Sequence, residues 1–127
     1  MLRATALFVA TAILAGCAVL TADGQRLTLT SSEFRAYFER VFREQNRMAD
    51  QFAFALEGAL NVPAGVMAAE QSLLDACAAL NELATARRDE RQLSLRQRSA
   101  AARSAPMCER TVRASVATLD AWRATRR

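Results

Sequence analysis

The chain has 127 residues, 52% of them apolar, with 17 basic residues against 13 acidic ones and no histidine. That length supports one compact domain with a modest core. Lacking His, it has neither the commonest metal ligand nor the usual acid–base group of enzymes. Every basic residue is Arg, and the formal charge is +4. Because both signs alternate along most of the chain, this reads as a solvated surface rather than a nucleic-acid stripe. If the charge has a target, anionic lipid headgroups or cell-wall polymers are the nearer candidates.

The first stretch reads as an address. Arg3 supplies a positive start, and Ala4 to Leu14 is an apolar run. As a helix that run spans roughly 16 Å, well short of the roughly 30 Å of a bilayer's hydrocarbon layer. The small pair Ala15-Gly16 and then Cys17 follow. Leu14-Ala15-Gly16-Cys17 resembles the lipobox of bacterial lipoproteins, which sits at the end of such a signal segment. The resemblance covers about the first twenty residues. It implies thioether linkage of Cys17 to diacylglycerol, cleavage before Cys17, and often acylation of the freed amine. Two or three acyl chains exceed the two-signal requirement for stable anchoring. Ala18, rather than Asp, follows the cysteine, and by resemblance to Gram-negative sorting this implies the outer membrane. The competing reading is an uncleaved anchor over 4–20. Cleavage removes Arg3 alone among the charges and leaves 111 residues at +3, with 16 basic and 13 acidic residues.

Residues 17–30 read as the lipidated N-terminus and a tether. Asp23-Gly24 is a turn signal and Leu27-Thr28-Leu29 alternates like a strand, but an isolated two-stranded hairpin is marginal in water. Mostly extended linker is expected. Helix 1 follows, with Thr30-Ser31-Ser32-Glu33 as its capping box and Leu29 and Phe34 as a hydrophobic staple. Its stripe of Phe34, Phe38, Val41, Gln45, Met48, Phe52, Ala55 and Ala59 alternates four and three, the spacing of a core-facing helix. Tyr37, Phe42, Ala49 and Leu56 widen it. Gln45 is the one polar member, suited to setting register or lining a cavity.

Helix 1 is expected to end near Gly58 to Asn61, with Val62-Pro63-Ala64-Gly65 as the turn. So short a connection predicts an antiparallel neighbour. Helix 2 begins about Gly65, with Val66, Leu73, Cys77, Leu80 and Ala84 as its stripe. Beyond Ala86 it either runs on as a solvated extension or breaks near 88–95. Helix 3 is expected after Ser104-Ala105-Pro106, with Ser104 as cap and Pro106 in the first turn. Its stripe is Val112, Val116, Leu119 and Trp122.

With Cys17 assigned to lipid, Cys77 and Cys108 are an even pair in an oxidising compartment and read as a disulfide. That pairing constrains the helices. Were helix 2 unbroken to Ser104, Cys77 would lie about 40 Å from its last turn, far beyond the roughly 7 Å Cα limit for a bridge. The bridge therefore demands a kink or a non-helical stretch within 87–104.

No Gly-x-Ser-x-Gly elbow or Gly-rich phosphate loop is present, and Cys77 and Cys108 are too far apart for a metal knuckle. No catalytic residue, metal site or cofactor is expected. Asp75, Glu82, Asp89, Glu90 and Glu109 have the spacing of an ordinary polar face. Trp122, beside Arg123 and Arg126, suits either a bundle cap or a headgroup layer.

Together these readings predict an all-α protein. A lipoprotein signal peptide (1–16) and a short tether (17–30) precede a small antiparallel three-helix bundle (31–127). The expected role is a non-catalytic interaction or accessory module of the cell envelope. The chain would be held to the membrane through acyl chains on Cys17, on the outer membrane facing the periplasm, with an envelope protein rather than nucleic acid as partner. The alternative is a lipoprotein that binds a small hydrophobic ligand in a Phe-lined cavity.

Overall fold

The computed structural model describes residues 18–127; the apolar segment and Cys17 lie outside the described residues. Within that span the chain is an all-α bundle of three helices preceded by a two-stranded hairpin. Strands β1 (Ala18–Leu20) and β2 (Arg26–Thr28) precede α1 (Ser32–Leu56), α2 (Ala64–Arg88) and α3 (Leu95–Thr125). Short connections of seven and six residues (57–63 and 89–94) turn each helix back along its predecessor.

The hairpin corrects the reading of 17–30 as a tether. Its strands pair antiparallel, with Ala18 opposite Thr28, Val19 opposite Leu27 and Leu20 opposite Arg26. Side chains alternate across a strand, so Val19 and Leu27 enter the core while Leu20, Arg26 and Thr28 face outward. What rescues a pair of three-residue strands is therefore tertiary packing on α1 and α3, which sequence reasoning about an isolated hairpin cannot see.

Helix α1 starts one residue later than its capping box predicts. Ser31, not Thr30, is the cap, and its Oγ accepts from Phe34 N–H at 3.0 Å. Thr30 lies in a turn that Ser31 closes by donating its N–H to the Thr28 carbonyl at 3.0 Å. The buried face is Phe34, Tyr37, Phe38, Val41, Gln45, Met48 and Phe52, matching the four-three stripe. After Leu56 the backbone turns through left-handed Gly58 (φ 66°) and Asn61 (φ 57°), conformations that Gly adopts freely and Asn tolerates. Pro63 then caps α2 with its φ held at −59°.

Helix α2 buries Val66, Leu73, Cys77 and Leu80 as expected, but continues with Leu83 and Ala86 in place of Ala84. It breaks after Arg88 in a Schellman motif. Arg91 N–H donates to the Ala86 carbonyl at 2.8 Å and Glu90 N–H to the Arg87 carbonyl at 3.3 Å. Glu90 takes the left-handed position (φ 55°) normally given to Gly.

The expected start of helix 3 at Ser104-Ala105-Pro106 is also corrected. Helix α3 begins at Leu95, where Ser94 and Gln97 form a capping box. Ser94 Oγ accepts from Gln97 N–H at 3.1 Å, and Gln97 Oε1 accepts from Ser94 N–H at 2.9 Å. Pro106 lies inside the helix, where it removes the N–H that the Ala102 carbonyl would otherwise accept. Ser104 does not cap; its hydroxyl donates back to the Ala101 carbonyl at 2.7 Å. The buried line of Ala101, Ala105, Cys108, Val112, Ser115, Leu119 and Trp122 alternates four and three throughout. Its small members hide that period from a search for large apolar residues.

The α2–α3 turn brings Cys77 and Cys108 together. Their Cα atoms are 4.8 Å apart, and a disulfide joins them with both residues fully buried. The bridge and the non-helical break at 89–94 therefore occur together, as the spacing requires.

Candidate functional site

The predicted lipidation residue, Cys17, lies outside the described residues, but its neighbour does not. Ala18 is held in the hairpin opposite Thr28.

The most elaborate polar constellation centres on Glu109, whose side chain has no solvent exposure. An ionised carboxylate offers about four acceptor sites, and four donors fill them. Oε2 accepts from Ala22 N–H at 3.0 Å and from the Tyr37 hydroxyl at 2.8 Å. Oε1 accepts from Arg40 at 3.2 Å and Arg113 at 3.0 Å. Arg113 also grips Asp23 with two bonds of 2.8 and 3.0 Å. The hairpin turn, α1 and α3 thus meet on one carboxylate.

Burial alone would raise the Glu109 pKa, but the bonds from Ala22, Tyr37 and Arg40 outweigh it and hold the carboxyl below its ordinary value. Burial pushes the Tyr37 phenol upward, and its bond to Glu109 adds to the rise. Asp23 is lowered by its bond and charge interaction with Arg113. Both lone pairs on each Glu109 oxygen are engaged and the group is ionised, so it is a poor proton acceptor and a good structural tie.

Sequence reasoning placed Glu109 on an ordinary polar face and missed Tyr37, Arg40, Arg113 and Asp23 as its companions. The available signals were Glu109 and Arg113 at i,i+4 and the Asp23-Gly24 turn. Neither reveals the pairing across 87 residues between Ala22 and Glu109. Asp75, Glu82 and Asp89 stay apart, bound to Gln71, Arg91 and Arg88 respectively.

Gln45 is buried and joins helices. Its Nε2 donates to Asn81 Oδ1 of α2 at 2.7 Å and to Asn46 at 2.9 Å. Trp122 is buried near the C-terminal end of α3, with the Arg126 guanidinium 4.8 Å from its ring; a cation over an aromatic face is attracted to the ring quadrupole.

A second arrangement is open rather than closed. Where α1, the end of α2 and the start of α3 come together, a cleft of about 230 Å³ has Leu29, Phe34, Phe38, Leu83 and Ala102 as its apolar floor. Arg35, Arg87 and Arg98 stand around it, with Glu39 the one carboxylate. A second cleft of about 390 Å³ shares Leu83, Arg87 and Arg98 and extends along the α2–α3 turn past Glu90 and Arg91. A third, of about 200 Å³, continues between α1 and α2 past Phe42 and Ala84. Among the described residues, Arg35, Arg87 and Arg98 make no side-chain hydrogen bond or ion pair. Arg91, by contrast, is paired with Glu82 at 2.9 Å. Leu29, Phe34 and Phe38 stand out in the sequence as staple and stripe, but Arg35, Arg87 and Arg98 do not, because the members of the cleft are scattered over 29–102.

Fold and site together define a small disulfide-linked three-helix bundle with a docked hairpin and an arginine-rimmed apolar cleft. No protein-family model, curated protein or solved structure matches the chain. Among the described residues no helix is long and apolar enough to cross a membrane.

Proposed function

We propose that this protein is a membrane-anchored envelope lipoprotein serving as a non-catalytic interaction module, tethered through acyl chains on Cys17. The observation that carries this reading is the position of Ala18. The lipobox-like Leu14-Ala15-Gly16-Cys17 is followed at once by a strand docked on the bundle. An anchor at Cys17 holds such a domain against the membrane, with no linker between them. The Cys77–Cys108 bridge suits an oxidising envelope compartment. The saturation of Glu109 supports a structural rather than a chemical use of the buried carboxylate.

A second reading, a carrier of a hydrophobic ligand, draws on the Phe34 and Phe38 floor of the open cleft. Native mass spectrometry of the complex, gently extracted from its own membrane, separates the two. A stoichiometric protein partner supports the interaction module, and a small-molecule adduct supports the carrier. For the anchor itself, Cys17→Ser is expected to abolish acylation and release the protein from the membrane fraction. Unchanged retention would replace the lipid anchor with an uncleaved apolar one.

A further inference from the structure

We infer that the arginine-rimmed cleft at the base of the bundle is a docking site for an anionic phospholipid of the bilayer, an inference that rests on the anchored reading for its proximity to a membrane. Three features converge. The first is charge. Arg35, Arg87 and Arg98 ring one opening without side-chain partners among the described residues, against the single carboxylate of Glu39. Guanidinium groups present planar, divergent donors suited to phosphate oxygens, and they lose little by leaving water compared with an ammonium group. Some arginines elsewhere on this surface are neutralised in place, as Arg40 is by Glu44 and Arg113 by Asp23; the cleft gathers around one opening three that are not.

The second feature is the floor. Phe34, Phe38, Leu83 and Ala102 form an apolar surface beneath the three cations. A free inorganic anion has no use for that surface, whereas the glycerol and first methylenes of a phospholipid do. The third is position. Thr28 is the register partner of Ala18, and the next residue, Leu29, lines the cleft. The hairpin end that carries Ala18 and Thr28 therefore lies beside the cleft, and an anchor attached to the chain just before Ala18 would bring this end of the bundle to the headgroup layer. The diacylglycerol on Cys17 is itself neutral and offers nothing to three guanidinium groups. Charge complementarity thus selects a lipid with a net negative headgroup over the chain's own anchor.

The test uses the full-length protein in phosphatidylcholine vesicles carrying a trace of photoactivatable phospholipid. The probe has either a phosphatidylglycerol or a phosphatidylcholine headgroup, and labelled peptides are mapped by mass spectrometry. The anionic probe is expected to label segments 29–38 and 83–102 at least about tenfold more than the zwitterionic one, the scale of the attraction between a few basic side chains and acidic lipid. Raising the salt to about 0.5 M should shrink that excess, because exposed charges are screened over a few ångströms. The triple variant R35Q/R87Q/R98Q should remove it. All three side chains are exposed, so the fold should survive; should it not, the wild-type probe and salt comparisons decide alone. Equal labelling by both headgroups, labelling confined to other segments, or an excess unmoved by salt overturns the inference. The intact mass of the same sample reads acylation separately. Acyl chains on Cys17 without headgroup selectivity would overturn the cleft and leave the anchor. Selective labelling of an unacylated chain would support the cleft and overturn the anchor.

Discussion

Replacing Glu109 by Ala removes the acceptor on which the hairpin, α1 and α3 converge. Tyr37 loses the partner of its hydroxyl at 2.8 Å in a buried site, and Ala22 N–H loses its acceptor at 3.0 Å in a partly buried one. A donor orphaned in this way costs roughly 1–3 kcal/mol. Arg40 and Arg113 are 41% and 50% exposed at the side chain, so they turn back to water and are left out of the sum. The expected loss is therefore about 3 kcal/mol, at the low edge of what breaking a buried charge pair costs. Urea unfolding followed by circular dichroism would measure it. The acid limb supplies a second reading. The folded carboxyl sits below its ordinary value of 4.5, so the unfolded chain binds the proton more readily. The stabilisation is present above about pH 4.5 and is lost as pH falls through the lower folded value. In Glu109→Ala that part of the acid dependence should vanish. A loss under about 1 kcal/mol in a folded variant, or an acid limb identical to wild type, would refute the assignment of Glu109 as the hub.

Three further substitutions separate particular features of the fold. Removing the Cys77–Cys108 bridge as a double Ala variant should cost about 3.5 kcal/mol on loop-closure entropy alone for so long a loop, read as a fall in the urea midpoint; an unmoved midpoint would show that the bridge constrains nothing in the unfolded chain. Phe52→Ala should cost about 3–5 kcal/mol because the ring is fully buried, whereas Phe54→Ala, 79% exposed, should stay within about 0.5 kcal/mol. Similar losses at both sites would mean that α1 faces its partners differently. Ser94→Ala should cost about 1 kcal/mol as a lost cap, and Ser104→Ala distinctly less; the reverse order would restore the helix start at residue 104.

The bundle was legible in the sequence where large apolar residues carried the period. The α1 stripe from Phe34 to Phe52 emerged because six of its seven buried members are aromatic, branched or Met, leaving Gln45 as the exception. Helix α3 was legible only from Val112 onward, and there Val116 of the expected stripe is exposed while Ser115 is buried in its place. Its first half faces the core with Ala101, Ala105 and Cys108, small side chains that also suit a solvated helix. Pro106 then argued locally for a boundary that packing overrides. The Ser94-Leu95-Arg96-Gln97 capping box was present in the sequence and would have placed the start. The bridge was legible because cysteine arithmetic and helix geometry were considered together: accepting the pair required a break in 87–104, and the break supplies the antiparallel turn. The Glu109 hub and the arginine cleft were not legible, because each joins residues from separate elements whose proximity exists only after folding.

The cross-links are distributed unevenly among the helix pairs. Cys77 and Cys108 join α2 to α3 covalently, and Glu109 joins α3 to α1 and the hairpin. Between α1 and α2, the only side-chain hydrogen bond among the described residues is Gln45 to Asn81. Farther toward the base, that seam opens into the cleft floored by Phe34 and Phe38. The two strong ties hold three walls of the cleft, α1, α2 and α3, at fixed spacing without occupying the opening between them. A site whose walls are set before ligand arrives loses less freedom on binding. Gln45 thus has a use that an apolar residue in its place would not supply: it fixes the register of α1 on α2, and with it the alignment of Arg35 with Arg87. Gln45→Leu should therefore leave the helical content intact while reducing the headgroup selectivity of the cleft. Selectivity equal to wild type would assign Gln45 to stability alone.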